Sequence, residues 1–474
     1  LASGSSYNFT GGTLTNTGSL ILRRDFTFNG TTGGTVNLNA GGTLTNYATL
    51  TNAAGHSQAN AGTITNTAGG TITNSGTLAN NAAGTITNNG TLTNDGTLTN
   101  AGTLELGAGS SYNFTGGTLT STGSLILRRD FTFNGTTGGT VNLNGGTLTN
   151  YATLTNAAGH TQDNWGTITN HGTLINSGTL KSQGSGSFNN TNVIINSGVL
   201  NYHSLTNSGT ITNSGSSGFL YLTNSGTITN SSGVNMFALS DGACTNSGTI
   251  TNSGSFTHGS GNTFTNNAGG TVTNNAGGTF LVSGTLTNNG TLTNEGTLTD
   301  LLAGPLINNS TFTNNGTFNA NGTFTNNADG TLTNNGTLTN PGTITNAGTL
   351  ELASGSSYNF TGGTLTNTGS LILRRDFTFN GTTGGTVNLN AGGTLTNYAT
   401  LTNAAGHTQA NSGTITNTAG GTLTNSGTLT NNAGGTITSN GTLTNDGTLT
   451  NAGTLELASG SSYNFTGGTL TNTG

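Results

Sequence analysis

Along most of the chain one large aliphatic residue stands between two threonines and is followed by asparagine and glycine, as in GTLTNDGTLTNAGTLEL over Gly441–Leu457. The apolar positions Ile415, Leu423, Leu429, Ile437, Leu443, Leu449 and Leu455 follow one another at gaps of 8, 6, 8, 6, 6 and 6 residues. Within each unit the pattern alternates, Thr out, Leu in, Thr out, which is the period of a strand, and Asn-Gly then supplies a turn. A helix is excluded: Gly and β-branched Thr at this density cost helix stability at every turn, and no 3.6 periodicity is present. The extra residues at the longer gaps are small (NTAGG, NNAGG), as suits a corner.

One four-residue strand buries nothing alone, but stacked on its copies it builds a continuous core. The spacing predicts an all-β parallel β-solenoid. Three sides make a rung of about 18–22 residues, which is our expectation, although two-sided rungs of about 12–14 also accommodate the spacing.

A longer period of 105 residues is superposed. LASGSSYNFTGGTLT begins at Leu1, and relatives begin at Leu106, Leu352 and Leu457. The block includes SLILRRDFTF, at Ser19, Ser124 and Ser370, and NYATLTNAAGH, ending at His56, His160 and His407. Copies run over 1–105, 106–210 (diverging after about 170) and 352–456, with a partial copy at 457–474. Residues 182–348 keep the short period and lose the long one, so we expect one continuous array over 1–474 with a diverged middle. The chain begins and ends inside a repeat and reads as a segment of a longer protein.

Leu, Ile, Val and Phe supply the predicted core. Glycine before each strand is expected to permit turn geometry closed to other residues. Asparagines aligned rung over rung are expected to form amide ladders, each donating to one neighbour and accepting from the next. Threonine columns would line the outer face.

Charge changes the picture by its scarcity. Charged residues make up 4% of the chain and the net charge is −6, against roughly 25% charged in an ordinary domain. Seven Lys and Arg in 474 residues cannot neutralise a run of phosphates, which argues against nucleic acid as a partner. No apolar run approaches the roughly 20 residues of a membrane span. A lone Cys244 excludes an internal disulfide framework and accords with an oxidising, extracellular compartment.

Six of the seven basic residues lie in Arg23-Arg24-Asp25, Arg128-Arg129-Asp130 and Arg374-Arg375-Asp376. This recurring ionic cluster is the candidate contact between rods, or a site for an acidic glycan. The plainer reading is a local salt bridge on a corner, of little energetic consequence when exposed. Aromatic residues at i, i+2 (Tyr7 and Phe9, Phe26 and Phe28) share one strand face and are expected to fill the core. His56, His160, His171, His203, His258 and His407 have no Cys or carboxylate at ligand spacing, so neither a metal nor another cofactor is expected. The 13 acidic residues are spread thinly, several in turns (Asp95, Glu295, Asp446). No catalytic constellation emerges.

The stretch GTLTNSGTLTNNAGGTITSNGTLTNDGTLTNAGTLEL resembles the repeats of filamentous-haemagglutinin-like exoproteins and autotransporter passengers, and the resemblance extends over the whole chain. It implies a right-handed parallel β-helix, bacterial, secreted or displayed at a cell surface, serving as adhesin, stalk or matrix fibre. The near-identical blocks tilt the expectation toward a non-enzymatic structural rod that self-associates end to end or laterally, with a cell-surface glycan as a further candidate partner. A lesser alternative is ice binding, because outward Thr-x-Thr ranks on a flat solenoid face are how some insect antifreeze proteins act. The motif's presence on every side speaks for structure instead.

Overall fold

The computed structural model describes residues 1–4, 12–28, 35–114, 116–133, 140–238, 242–301, 304–379 and 384–474. Tyr7 and Phe9 lie outside the described residues. The chain divides into two compact units, Leu1–Tyr221 and Leu222–Gly474. Both are all-β, and no described residue is helical.

In unit 1 one rung consists of Thr43–Asn46, Thr49–Asn52 and Ser57–Asn60. Each strand pairs in parallel with the strand three places on: Thr43 with Thr63, Thr49 with Thr71, Ser57 with Thr77. The rung is therefore three-sided. Its length varies between the 24 residues from Ser19 to Thr43 and the 17 from Ser187 to Ser204, so corners absorb insertions while strand register is kept.

Unit 2 repeats the plan. A first face starts with Thr227–Asn230, a second with Asn235–Ala238 and a third with Ala243–Asn246. The next rung lays Thr249–Asn252, Ser255–His258 and Thr263–Asn266 on them in register.

Burial alternates along most strands, so the second and fourth residues of Thr-Leu-Thr-Asn point inward, as in Thr91–Asn94. Asparagine is thus a core residue as well as the start of the corner. Asn66 is fully buried. Its amide donates to Asn88 Oδ1 at 2.7 Å, to Gly70 O at 3.1 Å and to Thr91 O at 3.0 Å, while its own Oδ1 accepts from Asn46 at 2.9 Å. The predicted ladder exists, and it runs inside the corner, where it satisfies carbonyls that three strands leave behind.

The glycine before each strand has a different task from the expected one. Gly90 has no positive φ, but a Cβ on it would lie 2.1 Å from Gly70 O in the rung below. Close stacking of corner backbones, not turn geometry, excludes a side chain there. Positive φ is confined at such corners to the inserted glycine, as at Gly69 (φ 85°). The aliphatic column (Leu44, Ile64, Ile86, Leu104) is buried to 1% exposure or less. Cys244 occupies one such inward position, and burial pushes its thiol up to about 11.

Candidate functional site

The Arg-Arg-Asp clusters lie where the amide ladder is interrupted. Strand Ser124–Leu127 ends in leucine rather than asparagine and stacks on Thr103–Leu106, which does the same. A buried leucine cannot reach the corner carbonyls and amides, so the next three residues build the corner instead. Asp130 Oδ1 accepts from Thr153 N at 2.9 Å; Asp25 and Asp376 do the same for Thr49 and Thr400 at 3.0 Å. Elsewhere that amide bonds a carbonyl of the rung below, as Thr71 N does with Ala48 O. The aspartate therefore acts as a replacement carbonyl.

The second arginine lies half-buried beneath the corner. Arg129 Nε donates to the carbonyl of Asp130 at 3.0 Å, and its Nη1 to Ser110 O. In Arg24 and Arg375 the Nη1 is buried without a hydrogen-bond partner. The first arginine is displayed. Arg128 meets Glu105 of the rung below at 2.6 Å and lies 4.8 Å from the ring centre of Tyr151 in the rung above. Arg374 repeats this with Glu351 at 2.7 Å and Tyr398 at 4.7 Å, and Arg23 covers Tyr47 at 4.6 Å. Glu105 and Glu351 raise the Arg128 and Arg374 pKa values still further. Tyr47, Tyr151 and Tyr398 are 46%, 48% and 48% exposed, giving each cluster an aromatic platform under a cation.

Neither partner was read from the sequence, although both were visible: glutamate in TLEL and tyrosine in NYATLTN stand 23 or 24 residues from the arginine, one rung away. A recess of about 300 Å³ adjoins Arg128 and Arg129, bounded also by Ala108, Ser110, Asp130 and Ala152.

Register places two clusters on one corner of unit 1. Ser19 pairs with Thr43, Thr43 with Thr63, Thr63 with Thr85, Thr85 with Thr103 and Thr103 with Ser124. Arg23 and Arg128 are thus five rungs apart, roughly 24 Å.

The Phe-Thr-Phe pairs face inward as expected. Phe26 and Phe28 are 4% and 1% exposed and meet edge to face at 6.5 Å; Phe377 and Phe379 do so at 6.4 Å. The histidines are dispersed. His171 stacks on Tyr151 at 5.1 Å and bonds Thr191, whereas His258 is buried in the core. Among the described residues no three His, Cys, Asp or Glu side chains come together.

The haemagglutinin repeat matches residues 132–178, 353–432 and 412–474. Together with the stacked parallel strands, this match fits a filamentous-haemagglutinin-like β-helix repeat protein, a structural or adhesin-like surface protein. No curated protein matches the chain.

Proposed function

We propose that the chain is a non-enzymatic extracellular structural protein, a stiff β-solenoid that forms part of a surface filament, sheath or matrix fibre. The observation that carries this reading is the pair of displayed arginines on one corner of unit 1, five rungs apart, each braced by its own tyrosine. A repeated cation on a fixed spacing suits lateral contact with a second copy, because each cluster must find its partner at the same step. No Lys or Arg stands between Arg24 and Arg128 in the sequence, so the clusters would set register between copies.

The second reading, an adhesin-like stalk, draws on the recess beside Arg128 and Arg129, whose guanidinium groups suit an acidic glycan. Electron microscopy of the native cell surface separates the two. Ordered filaments with a repeat of about 4.8 Å along the axis support the fibre, and single projecting rods the stalk. Replacing only the displayed arginines (Arg23→Gln, Arg128→Gln, Arg374→Gln) leaves the corner-building Arg-Asp pairs in place. Filaments should then lose lateral order while the β signal in circular dichroism stays. Unchanged filaments would remove the clusters from the assembly contact.

A further inference from the structure

Thr-x-Thr occurs on all three faces of unit 2, but not with equal regularity. On the first face it continues without a break through six stacked strands: Thr227 and Thr229, Thr249 and Thr251, Thr271 and Thr273, Thr291 and Thr293, Thr311 and Thr313, Thr331 and Thr333. The same rungs on the second face carry Phe237, Leu281 and Asn319 at outward positions, and on the third face Ala243 and Ile307. No other run in unit 2 or in unit 1 exceeds three described strands. The stretch that has lost the 105-residue period has kept one face uniform while the other two varied.

That face is also the best braced. Both corners that bound it keep the inner amide ladder: Asn224, Asn246, Asn266, Asn288, Asn308, Asn326 and Asn346 on one side, at 2.7–2.8 Å, and Asn230, Asn252, Asn274, Asn294, Asn314 and Asn334 on the other, also at 2.7–2.8 Å. A second row of contacts runs outside each corner. Asn267 bonds Ser247, Asn309 bonds Asn289 and Asn327 bonds Asn309; opposite them Asn275 bonds Ser253 and Asn335 bonds Asn315. The twelve outward side chains are uncharged, and each pairs a methyl with a hydroxyl on a β-branched carbon of restricted χ1.

We propose that this face binds the surface of an ice crystal. Its threonines repeat about 4.8 Å along the stack and about 6.6 Å along each strand, and both spacings lie near repeats of the ice lattice. Hydroxyls in such ranks can take the place of lattice water, and the methyls between them disfavour the mobile hydration shell of liquid water. Charged side chains would hold that shell, and none stands among the twelve. The ladders fix the ranks before contact, so little order has to be imposed on binding. Nothing in this depends on the filament reading.

The test uses the intact chain in ice-recrystallisation and ice-partition assays. The protein is expected to arrest crystal growth and to enter the ice fraction. Thr273→Lys with Thr293→Lys, on the first face, should lose about tenfold or more of that activity. Thr265→Lys with Thr287→Lys, on two stacked strands of the third face, should retain it, both variants keeping the wild-type β signal. An inert wild-type chain at high concentration, or equal losses in the two variants, overturns the proposal. So does a dimer in sedimentation that only the first-face variant dissolves, with no effect on ice, because the face would then serve a second copy of the chain.

Discussion

Two corners of unit 2 have been built from the same repeat with opposite outcomes. At the corner after the first face the inward fourth position reads Asn230, Asn252, Asn274, Asn294, Asn314, Asn334, and each amide hands on a hydrogen bond. At the corner after the second face the same position reads Ala238, His258, Val282, Asp300, Ala320. His258 and Asp300 are fully buried; neither ring nitrogen has a hydrogen-bond partner, and the Asp300 carboxyl faces the Gly322 backbone with no side chain of the column to pair with. The contrast shows what the ladder is for. In the intact column each asparagine meets its complement in the rungs above and below, whereas at the other corner the neighbours of His258 and Asp300 in the column are apolar.

The strongest way to break the comparison is to interrupt the intact corner. Asn294→Leu keeps the volume and removes bonds to Asn314 at 2.7 Å and Thr317 O at 2.8 Å, as well as the acceptor of Asn274. Several buried groups lose a partner at about 1–3 kcal/mol each, so a total of about 4 kcal/mol is expected. Hydrogen exchange should show the loss in Thr291–Asn294 and its stacked neighbours Thr271–Asn274 and Thr311–Asn314. A change below about 1 kcal/mol would mean that the ladder contributes geometry and little energy.

Repairing the broken corner should have the next largest effect, and it depends on pH. Burial raises the Asp300 carboxyl from 3.8 to about 7, so the folded chain holds a proton that the unfolded chain releases. Stability from this group is present below about pH 4 and is lost as pH rises toward 7, by at most about 4 kcal/mol. Burial lowers His258 from 6.5 to about 4, so its contribution runs the other way and is lost as pH falls through that window. Asp300→Asn removes the first dependence alone. Exchange in Thr297–Asp300, corrected for its intrinsic pH dependence, should speed up between pH 4 and 7 in the wild type relative to the variant. Parallel profiles would show that Asp300 is solvated.

Much of this was legible from spacing. The six-residue unit predicted four-residue strands, and the small insertions predicted the corners. The aligned asparagines predicted the ladder, because amides that repeat in sequence at rung length must repeat in space. What stayed hidden needed the rung length itself. Only once Arg128 is known to lie between Glu105 and Tyr151 does its cluster become a braced cation. Only when fourth positions are read down a corner does His258 fall into a column with Asp300. The uniform Thr face was hidden likewise, since Thr-x-Thr is everywhere in the sequence and its unbroken run appears only after strands are sorted by face. Gly90 was read for its conformational freedom, but its reason is a neighbour 20 residues earlier.

The smallest effect is expected one residue outside the intact ladder, and it sharpens what burial contributes. Asn315 adjoins Asn314 and takes part in a similar column on the outside of the corner, donating to Glu295 at 2.6 Å and accepting from Asn335 at 2.8 Å. One contact is the same amide pair and the other goes to a carboxylate; the larger difference is water. Asn315 is exposed while Asn314 is fully buried. Water can replace each bond that Asn315→Ala removes, so the exchange protection of Thr311–Asn314 should change by no more than about 0.5 kcal/mol. A cost comparable to that of Asn294→Leu would show that the outer column, too, acts cooperatively along the stack. The stiffness assigned to the threonine face would then rest on four ladders rather than two.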